Sequence, residues 1–173
     1  MKENISAHIT YKEATRSNTA TRYGLSNDPT EEELAKMKVT AEKLFEPVRV
    51  HFDTPIAVNS FFRAPAVNKK VGGSKTSQHM KAEAIDMDDT YGGVKNSEIF
   101  WYIADNLDFD QLIIEYPEEG EPAWIHASYV SEEKNRNRIL VTQVGDEGTT
   151  YSALTKEQAK EYVTVDDKRE RII

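Results

Sequence analysis

Two short stretches of alternating apolar and polar residues, 83–88 (EAIDMD) and 123–130 (AWIHASYV), constrain the fold of this chain most. Successive side chains of a β-strand point to opposite faces, so such alternation is typical of a strand with one face in the core. Asp86 lies on the polar face of the first predicted strand, and His126 lies on the polar face of the second. If both strands belong to one sheet, these two side chains converge.

The remaining periodicity divides the chain into further helices and strands. A helix is predicted over 29–48, because Asp28 can cap it, Pro29 suits the first helical position and three acids follow. Other helices are predicted over 66–71, 95–107 and 155–162, strands over 56–62, 111–116 and 138–144, and loop over 74–81. We therefore predict an α+β fold with a mostly antiparallel central sheet of about four to five strands and helices packed on one side.

The length of 173 residues fits one domain, predicted over 1–144 with an N-terminal cap at 1–28. Residues 145–173 are predicted to form a C-terminal tail with a surface helix and a loose charged end. The chain has no cysteine, which excludes disulfides, thiolate metal ligands and a cysteine nucleophile. The net charge of −8 argues against a nucleic-acid-binding face. No stretch approaches the roughly 20 apolar residues of a membrane span, and residues 1–11 do not resemble a signal peptide.

Three residues form a candidate metal site. His79 precedes Asp86 by seven residues, and His126 follows forty residues later. Two neutral imidazoles and one carboxylate are a ligand set of catalytic zinc, which keeps a position open for water. Taken singly, each histidine is also compatible with a structural role in its loop or strand, so the spacing alone is a weak signal.

The residues around this triad carry a family resemblance. Residues 77–86 (SQHMKAEAID) resemble the Ser-x-His-x-x-Gly-x-Ala-x-Asp signature of the zinc D-Ala-D-Ala carboxypeptidase family, which belongs with the lysostaphin-type and hedgehog-like metallopeptidases. Residues 60–68 (SFFRAPAVN), 109–115 (FDQLIIE) and 124–128 (WIHAS) are similar to its Ser-Gly-Tyr-Arg-Ser-Pro-x-x-Asn, Phe-Asp-Gln-Leu-Ile-x-Glu and Trp-Val-His-Val-Ser segments. Residues 9–48 resemble the cap found in a phage-associated branch.

The resemblance implies a fold, a cofactor and a substrate. The expected fold is hedgehog- or D-Ala-D-Ala-peptidase-like, and His79, Asp86 and His126 are expected to bind one zinc ion. The expected activity is hydrolysis of a peptide bond next to a D-amino acid in peptidoglycan stem peptides, as in a phage endolysin. Arg63 is the candidate for binding a substrate carboxylate or stabilising the developing oxyanion, although an ordinary surface ion pair is the alternative. Ser77 is expected to contact substrate or to orient a ligand, or to be a simple turn hydroxyl.

Three departures from the family pattern concern the site, and one of them, Phe61 and Ala64 where Gly and Ser are usual, alters the expected pocket wall. Ala82 replaces a glycine, which would cost about 1 kcal/mol if the position requires a positive φ. Several relatives carry an acidic catalytic base three residues before the last histidine, where this chain has Ala123. Glu115 is therefore our predicted base, with Glu121 as the second choice.

These departures keep two alternatives open, a catalytically impaired peptidoglycan-binding module and a virion-associated structural protein on the same fold. For the enzyme we expect a monomer with no nucleic-acid partner and no membrane insertion. It would be made in the cytoplasm and would reach the cell wall or periplasm after release by another protein. Which stem-peptide bond is cut, and whether from an end or internally, stays open.

Overall fold

The computed structural model describes residues 2–166 as seven helices and a six-stranded sheet, joined by one π-helical and one 3-10 segment. The α-helices are α1 (Tyr11–Thr15), α2 (Asn18–Tyr23), α3 (Glu31–Thr40), α4 (Glu46–Phe52), α5 (Pro65–Lys70), α6 (Asn96–Asn106) and α7 (Lys156–Ala159). The strands are β1 (Ala57–Ser60), β2 (Ala84–Asp88), β3 (Gln111–Glu115), β4 (Trp124–Ser128), β5 (Arg138–Gly145) and β6 (Gly148–Leu154).

The predicted helix over 29–48 is a longer unit made of α3, a π-helical segment over Ala41–Phe45, and α4. Its first cap is Thr30 rather than Asp28. The Thr30 hydroxyl accepts a hydrogen bond from the Glu33 amide, and the Glu33 carboxylate accepts one from the Thr30 amide. This reciprocal pair satisfies two amides that the helix itself leaves unpaired, which moves the start to Glu31.

The sheet has the order β1-β2-β4-β3-β5-β6. All neighbouring strands are antiparallel except β3 and β5, which are parallel. The predicted α+β class with a mostly antiparallel sheet is confirmed, with six strands instead of four to five. None of the helices within residues 2–166 is both long enough and apolar enough to cross a bilayer.

The two faces of the sheet have different roles. One face joins the core with the helical layer, and its side chains are almost fully buried: Ile85, Met87, Leu112, Ile114, Ile125, Ala127, Ile139 and Val141. On the opposite face, one register line runs from Asp86 to His126, Ile113 and Leu140 on four successive strands. The core face therefore holds the strands in place. The opposite face, which we call the open face, carries Asp86 and His126 side by side.

The predicted C-terminal tail contributes an unpredicted strand. β6 pairs with β5 over seven residue pairs and lies at the edge of the sheet. The helix predicted over 155–162 is present as the shorter α7, and its Ala159 is fully buried in the core. The charged end that we predicted to be loose lies mainly in residues 167–173, outside the described part of the chain. The division into a domain over 1–144 and a tail stays a prediction.

Candidate metal centre

The three predicted metal ligands lie together on the open face of the sheet. Asp86 on β2 and His126 on β4 are direct partners in the antiparallel ladder, and His79 comes from the 3-10 segment Gln78–Lys81. One ligand atom from each of the three lies within 4.8 Å of the others, and all three residues are buried. Within residues 2–166 this is the one such group of three histidine or acidic side chains.

The distances inside the cluster fit a tetrahedral metal ion. One oxygen of Asp86 lies 3.2 Å from Nε2 of His79 and 3.1 Å from Nδ1 of His126. Ligands at about 2.0–2.1 Å from a tetrahedral zinc ion are separated by roughly 3.3 Å, which is close to both distances. The imidazole rings meet edge to face, with centroids 5.1 Å apart and an interplanar angle of 82°. The two nitrogens therefore approach the same carboxylate oxygen from different directions.

The ring of His79 is held in the form that can bind a metal. Its Nδ1 lies 2.7 Å from the Phe61 carbonyl oxygen. Because a carbonyl can only accept, Nδ1 carries the proton, and Nε2 of the neutral ring keeps its lone pair towards Asp86. The second nitrogen of His126, Nε2, is buried and has no hydrogen-bond partner in the described chain. A donor set with this tautomer and this spacing fits zinc.

Electrostatics keep Asp86 ionised. Burial alone raises the pKa of its carboxyl group, but His79 and His126, which can donate to it when their rings are protonated and no metal is bound, outweigh the effect of burial. The net result is a pKa well below the ordinary aspartate range. An ionised carboxylate is the form that coordinates a cation.

Glu115 lies beside the cluster. It pairs with Trp124 across the β3–β4 ladder, is buried, and lines the same cleft as the three candidate ligands. Burial raises the pKa of the Glu115 carboxyl above its ordinary value, although a hydrogen bond from the Thr142 hydroxyl at 2.5 Å works in the opposite direction. A raised pKa brings a carboxylate closer to the range useful for proton transfer near neutral pH.

The second-choice base lies elsewhere. Glu121 accepts hydrogen bonds from the Ser97 amide at 3.0 Å and the Ser97 hydroxyl at 2.7 Å, at the start of α6, and it does not line the cleft. Ala123, which occupies the usual position of the family base, is exposed and its amide bonds to the Glu115 carbonyl at 2.8 Å. Of the two predicted bases, only Glu115 is brought to the candidate site.

Arg63 lies at one end of the cleft and is positioned through its neighbours. Its amide donates to the His79 carbonyl at 3.2 Å, and its guanidinium bonds to Asn68 at 3.2 Å and to Ser60 at 3.4 Å. Gly73 packs against this pair, because a Cβ there would lie 2.2 Å from the Asn68 side-chain oxygen and 3.0 Å from a guanidinium nitrogen. The guanidinium has no acidic partner in the described residues. The alternative of an ordinary ion pair is therefore not what the structure shows.

The two serines of the motifs differ in their surroundings. Ser77 lines the cleft immediately before the 3-10 segment that carries His79. Ser128 is fully buried, and its hydroxyl accepts a hydrogen bond from the Gln111 amide at 3.0 Å. Ser128 thus links β4 to β3, whereas Ser77 is available to a ligand in the cleft.

Ala82 adopts the positive φ that glycine would favour, with φ of 57° and ψ of 24°. This left-handed residue ends the 3-10 segment and turns the chain into β2. The Ala82 carbonyl accepts a hydrogen bond from the buried Thr40 hydroxyl at 2.9 Å. The turn between His79 and Asp86 is therefore preserved although its glycine is missing.

One wall of the cleft was not predicted from the sequence. The cleft has a volume of about 720 Å³ and is also lined by Arg136, Arg138, Leu140 and Tyr151. The alternation over 138–144 could have placed Arg138 and Leu140 on one strand face. Their position beside the cluster depends on the parallel pairing of β3 with β5, which the sequence pattern does not specify.

Comparison with known proteins identifies a family for most of the chain. Residues 7–128 match a family model described as Peptidase M15. The matched segment contains all three candidate metal ligands, Arg63 and Glu115, and it ends at the last residue of β4. No curated protein matches the chain.

Proposed function

The chain belongs to the Peptidase M15 family, and from this membership we propose that it is a zinc-dependent hydrolase of peptidoglycan stem peptides. In this proposal it cleaves a peptide bond next to a D-amino acid and acts as an endolysin-like, wall-degrading enzyme. The observation that carries the proposal is the single Asp86 oxygen placed 3.2 Å from His79 and 3.1 Å from His126 in a cleft that also contains Glu115.

The donor set supports zinc as the cofactor. His79, Asp86 and His126 would hold the zinc ion, which would supply Lewis-acid chemistry for a scissile carbonyl and an attacking water. Two imidazoles and one carboxylate leave one tetrahedral position open, as hydrolytic zinc sites require. The Phe61 carbonyl orients His79 and the β-ladder orients the other two ligands, so little reorganisation accompanies metal binding.

Glu115 is the proposed general base. Its carboxylate accepts a proton from the attacking water and returns that proton to the nitrogen of the departing amine, so the group is regenerated in each cycle. Burial raises its pKa, which strengthens it as a base compared with an exposed glutamate. The Thr142 hydroxyl fixes the carboxylate by donating a hydrogen bond to one of its oxygens.

Arg63 is the proposed carboxylate anchor. Its guanidinium is a planar donor group suited to a carboxylate, and it has no acidic partner in residues 2–166. Asn68 and Gly73 hold it at the cleft edge. Ser77 offers a hydroxyl along the same side. A substrate carboxylate bound there would fix the scissile bond relative to the metal site.

The test is incubation with purified peptidoglycan, followed by mass spectrometry of the released fragments with and without a chelator. We expect new amino groups, chelator-sensitive release and one zinc per chain by elemental analysis. His126→Ala should abolish both zinc content and release, and Glu115→Gln should abolish release while keeping zinc. His51→Ala is the matched control, because His51 is exposed and stacks on Tyr102 away from the cleft.

Two results would overturn the proposal. Release of peptidoglycan fragments by the metal-free protein would show that the hydrolysis does not require zinc. Binding to peptidoglycan with no release at any pH would favour the binding-module alternative, for which the alanine at position 123 remains the sequence argument.

A further inference from the structure

The cleft wall formed by β5 and β6 lies beyond the segment that matches the family. The match ends at residue 128, whereas β5 begins at Arg138. Arg138 is the register partner of Gln111 on β3, and Leu140 is the partner of Ile113. Since Ile113 is in turn the partner of His126, these β5 side chains lie on the same sheet face as the candidate metal ligands. This wall of the cleft therefore lies outside the matched segment but on the same sheet face as the candidate ligands.

The cleft concentrates positive charge on an acidic protein. Four cationic side chains line it, from Arg63, Lys81, Arg136 and Arg138, against two acidic side chains, from Asp86 and Glu115. The whole chain has a net charge of −8. A bound metal ion would increase this local excess of positive charge. Such a cleft attracts anionic ligands, whereas the negative charge on the rest of the surface repels them.

The two arginines of this wall, Arg136 and Arg138, differ in whether an acidic side chain pairs with them. Arg136 is neutralised by the buried Asp110, which accepts hydrogen bonds from its Nε at 2.8 Å and its Nη2 at 2.7 Å. The Arg138 side chain is exposed and has no hydrogen bond or ion pair in the described chain. Its backbone is nevertheless fixed, because its amide donates to the Asp110 carbonyl at 3.0 Å. Arg138 is thus an unpaired cation on a rigid strand.

Arg138 and Arg63 lie on opposite sides of the metal ligands. Arg63 follows β1, which is next to β2, whereas Arg138 lies on β5, two strands beyond β4. Neighbouring strands are about 4.8 Å apart, so β5 is roughly 10 Å from the strand of His126. That separation corresponds to about three residues of an extended peptide. Leu140, almost fully buried, and the exposed Tyr151 form the surface beside this path.

We propose that Arg138 is a specificity-determining residue that binds an acidic group of the substrate, two or three residues from the scissile bond on the side opposite Arg63. This inference rests on the proposed function for its substrate, a stem peptide that crosses the metal site. The substrate class is then an acidic peptide with one anionic group on each side of the bond that is cut. The neutral Arg136–Asp110 pair supports the backbone before Arg138 without competing for the ligand.

The test compares synthetic stem peptides that differ only in carrying glutamate or glutamine two or three residues before the scissile bond. For the unmodified enzyme we expect kcat/KM to be about tenfold higher for the glutamate peptide, because one charge-assisted hydrogen bond is added. Arg138→Gln should remove this preference, so that the glutamate and glutamine peptides are hydrolysed with equal kcat/KM. Arg138→Lys should restore part of it. Arg22→Gln, which removes an exposed arginine outside the cleft, should keep it in full.

Calorimetric titration of metal-free protein, prepared with a chelator, measures binding of the same two peptides without hydrolysis. It therefore tests this inference independently of the proposed function. Tighter binding of the glutamate peptide, lost in Arg138→Gln, would support the subsite even if no peptide were hydrolysed. Hydrolysis with an equal glutamate preference in Arg138→Gln and in the unmodified enzyme would overturn the subsite and leave the peptidase intact. Equal binding of both peptides to the unmodified protein, with no kinetic preference, would also overturn it.

Discussion

One carboxylate oxygen of Asp86 lies 3.1 Å from Nδ1 of His126 across the β2–β4 ladder, where the two residues are direct register partners. Antiparallel pairing fixes such side chains within about 5 Å of each other at their Cβ atoms. The third candidate ligand, His79, arrives on a separate 3-10 segment and is oriented by the Phe61 carbonyl. The geometry of the site is thus set before any ligand binds.

Zinc should stabilise the folded protein, because the three ligands converge only in the folded state. At a free zinc concentration about a hundred times the Kd, we expect roughly 2.7 kcal/mol of stabilisation, or a rise in Tm of about 5–10 °C. Differential scanning fluorimetry of chelated protein with added zinc measures this rise. His126→Ala should lose it, and His51→Ala should keep it. An equal zinc-induced rise in Tm in both variants would show that zinc binds at a site that does not include His126.

The side chains of β2 and β4 that face the core could be predicted, because apolar and polar residues alternate strongly in both strands. Ile85 and Ile125 are fully buried in the core, and Asp86 and His126 lie on the opposite face, as the alternation indicated. β6 was not predictable in the same way. Its sequence GTTYSAL contains few apolar residues. Six of its seven residues are exposed, and the strand is held mainly by backbone pairing to β5.

Contacts between segments distant in sequence set the rest of the site. Thr142 bonds to Glu115 only because β5 runs parallel beside β3, with these two residues in register. Local periodicity carries no information on which strands become neighbours or in what register. The family resemblance therefore suggested Glu115 as a candidate, whereas its hydrogen-bond partner and the wall containing Arg138 became evident only from the fold.

Glu115→Gln should not destabilise the metal-free protein near neutral pH. Burial raises the Glu115 pKa, so the folded state disfavours the ionised carboxylate, and this penalty grows as pH rises through the folded-state pKa. Glutamine removes the penalty while its oxygen can still accept from Thr142. We expect the free energy of unfolding of the variant to equal or exceed that of the unmodified protein at pH 7. The difference should shrink towards pH 4.

Urea denaturation of chelated protein at several pH values measures this effect, with Glu118→Gln as the control. Glu118 is an exposed acid in the turn between β3 and β4, so its replacement should leave the pH dependence unchanged. A marked loss of stability in Glu115→Gln at pH 7 would contradict the inferred cost of burying its charge.

Asp110→Asn should weaken the protein at neutral pH more than at acid pH. Hydrogen bonds from Arg136 and Gln78 hold the pKa of Asp110 below its ordinary range. The stabilisation is therefore present above the ordinary carboxyl pKa of about 3.9 and is lost as pH falls through the lower folded-state value. We expect a loss of about 1–3 kcal/mol at pH 7, because an amide nitrogen would face these donors.

Thermal unfolding across pH 3–7 checks the Asp110 prediction. Asp108→Asn is the control, since Asp108 is exposed and accepts one hydrogen bond from Asn135. A variant that lost the same stability at pH 3 as at pH 7 would show that the loss does not come from the ionised carboxylate.

Gly73→Ala should impair substrate binding through Arg63. The added methyl would lie 2.2 Å from the Asn68 side-chain oxygen, so Asn68 must move and its hydrogen bond to Arg63 breaks. Misplacing a carboxylate anchor by about 1 Å can cost tenfold or more. We expect KM for a stem peptide to rise by about that factor with zinc content unchanged. Gly145→Ala is the control, because its nearest contact would be an ordinary 3.7 Å. An unchanged KM would exclude this positioning role.

Ala82→Gly should change stability little, although Ala82 has a φ of 57°. Releasing a non-glycine residue from the left-handed region gains about 1–2 kcal/mol. The same change removes a methyl group that is fully buried in the core, which costs about 0.8 kcal/mol. The greater freedom of glycine in the unfolded chain costs about 0.4–1 kcal/mol more. The opposing effects nearly cancel, so we expect a difference within about 0.8 kcal/mol by chemical denaturation. A gain above about 1.5 kcal/mol would show that strain dominates and that the buried methyl contributes little.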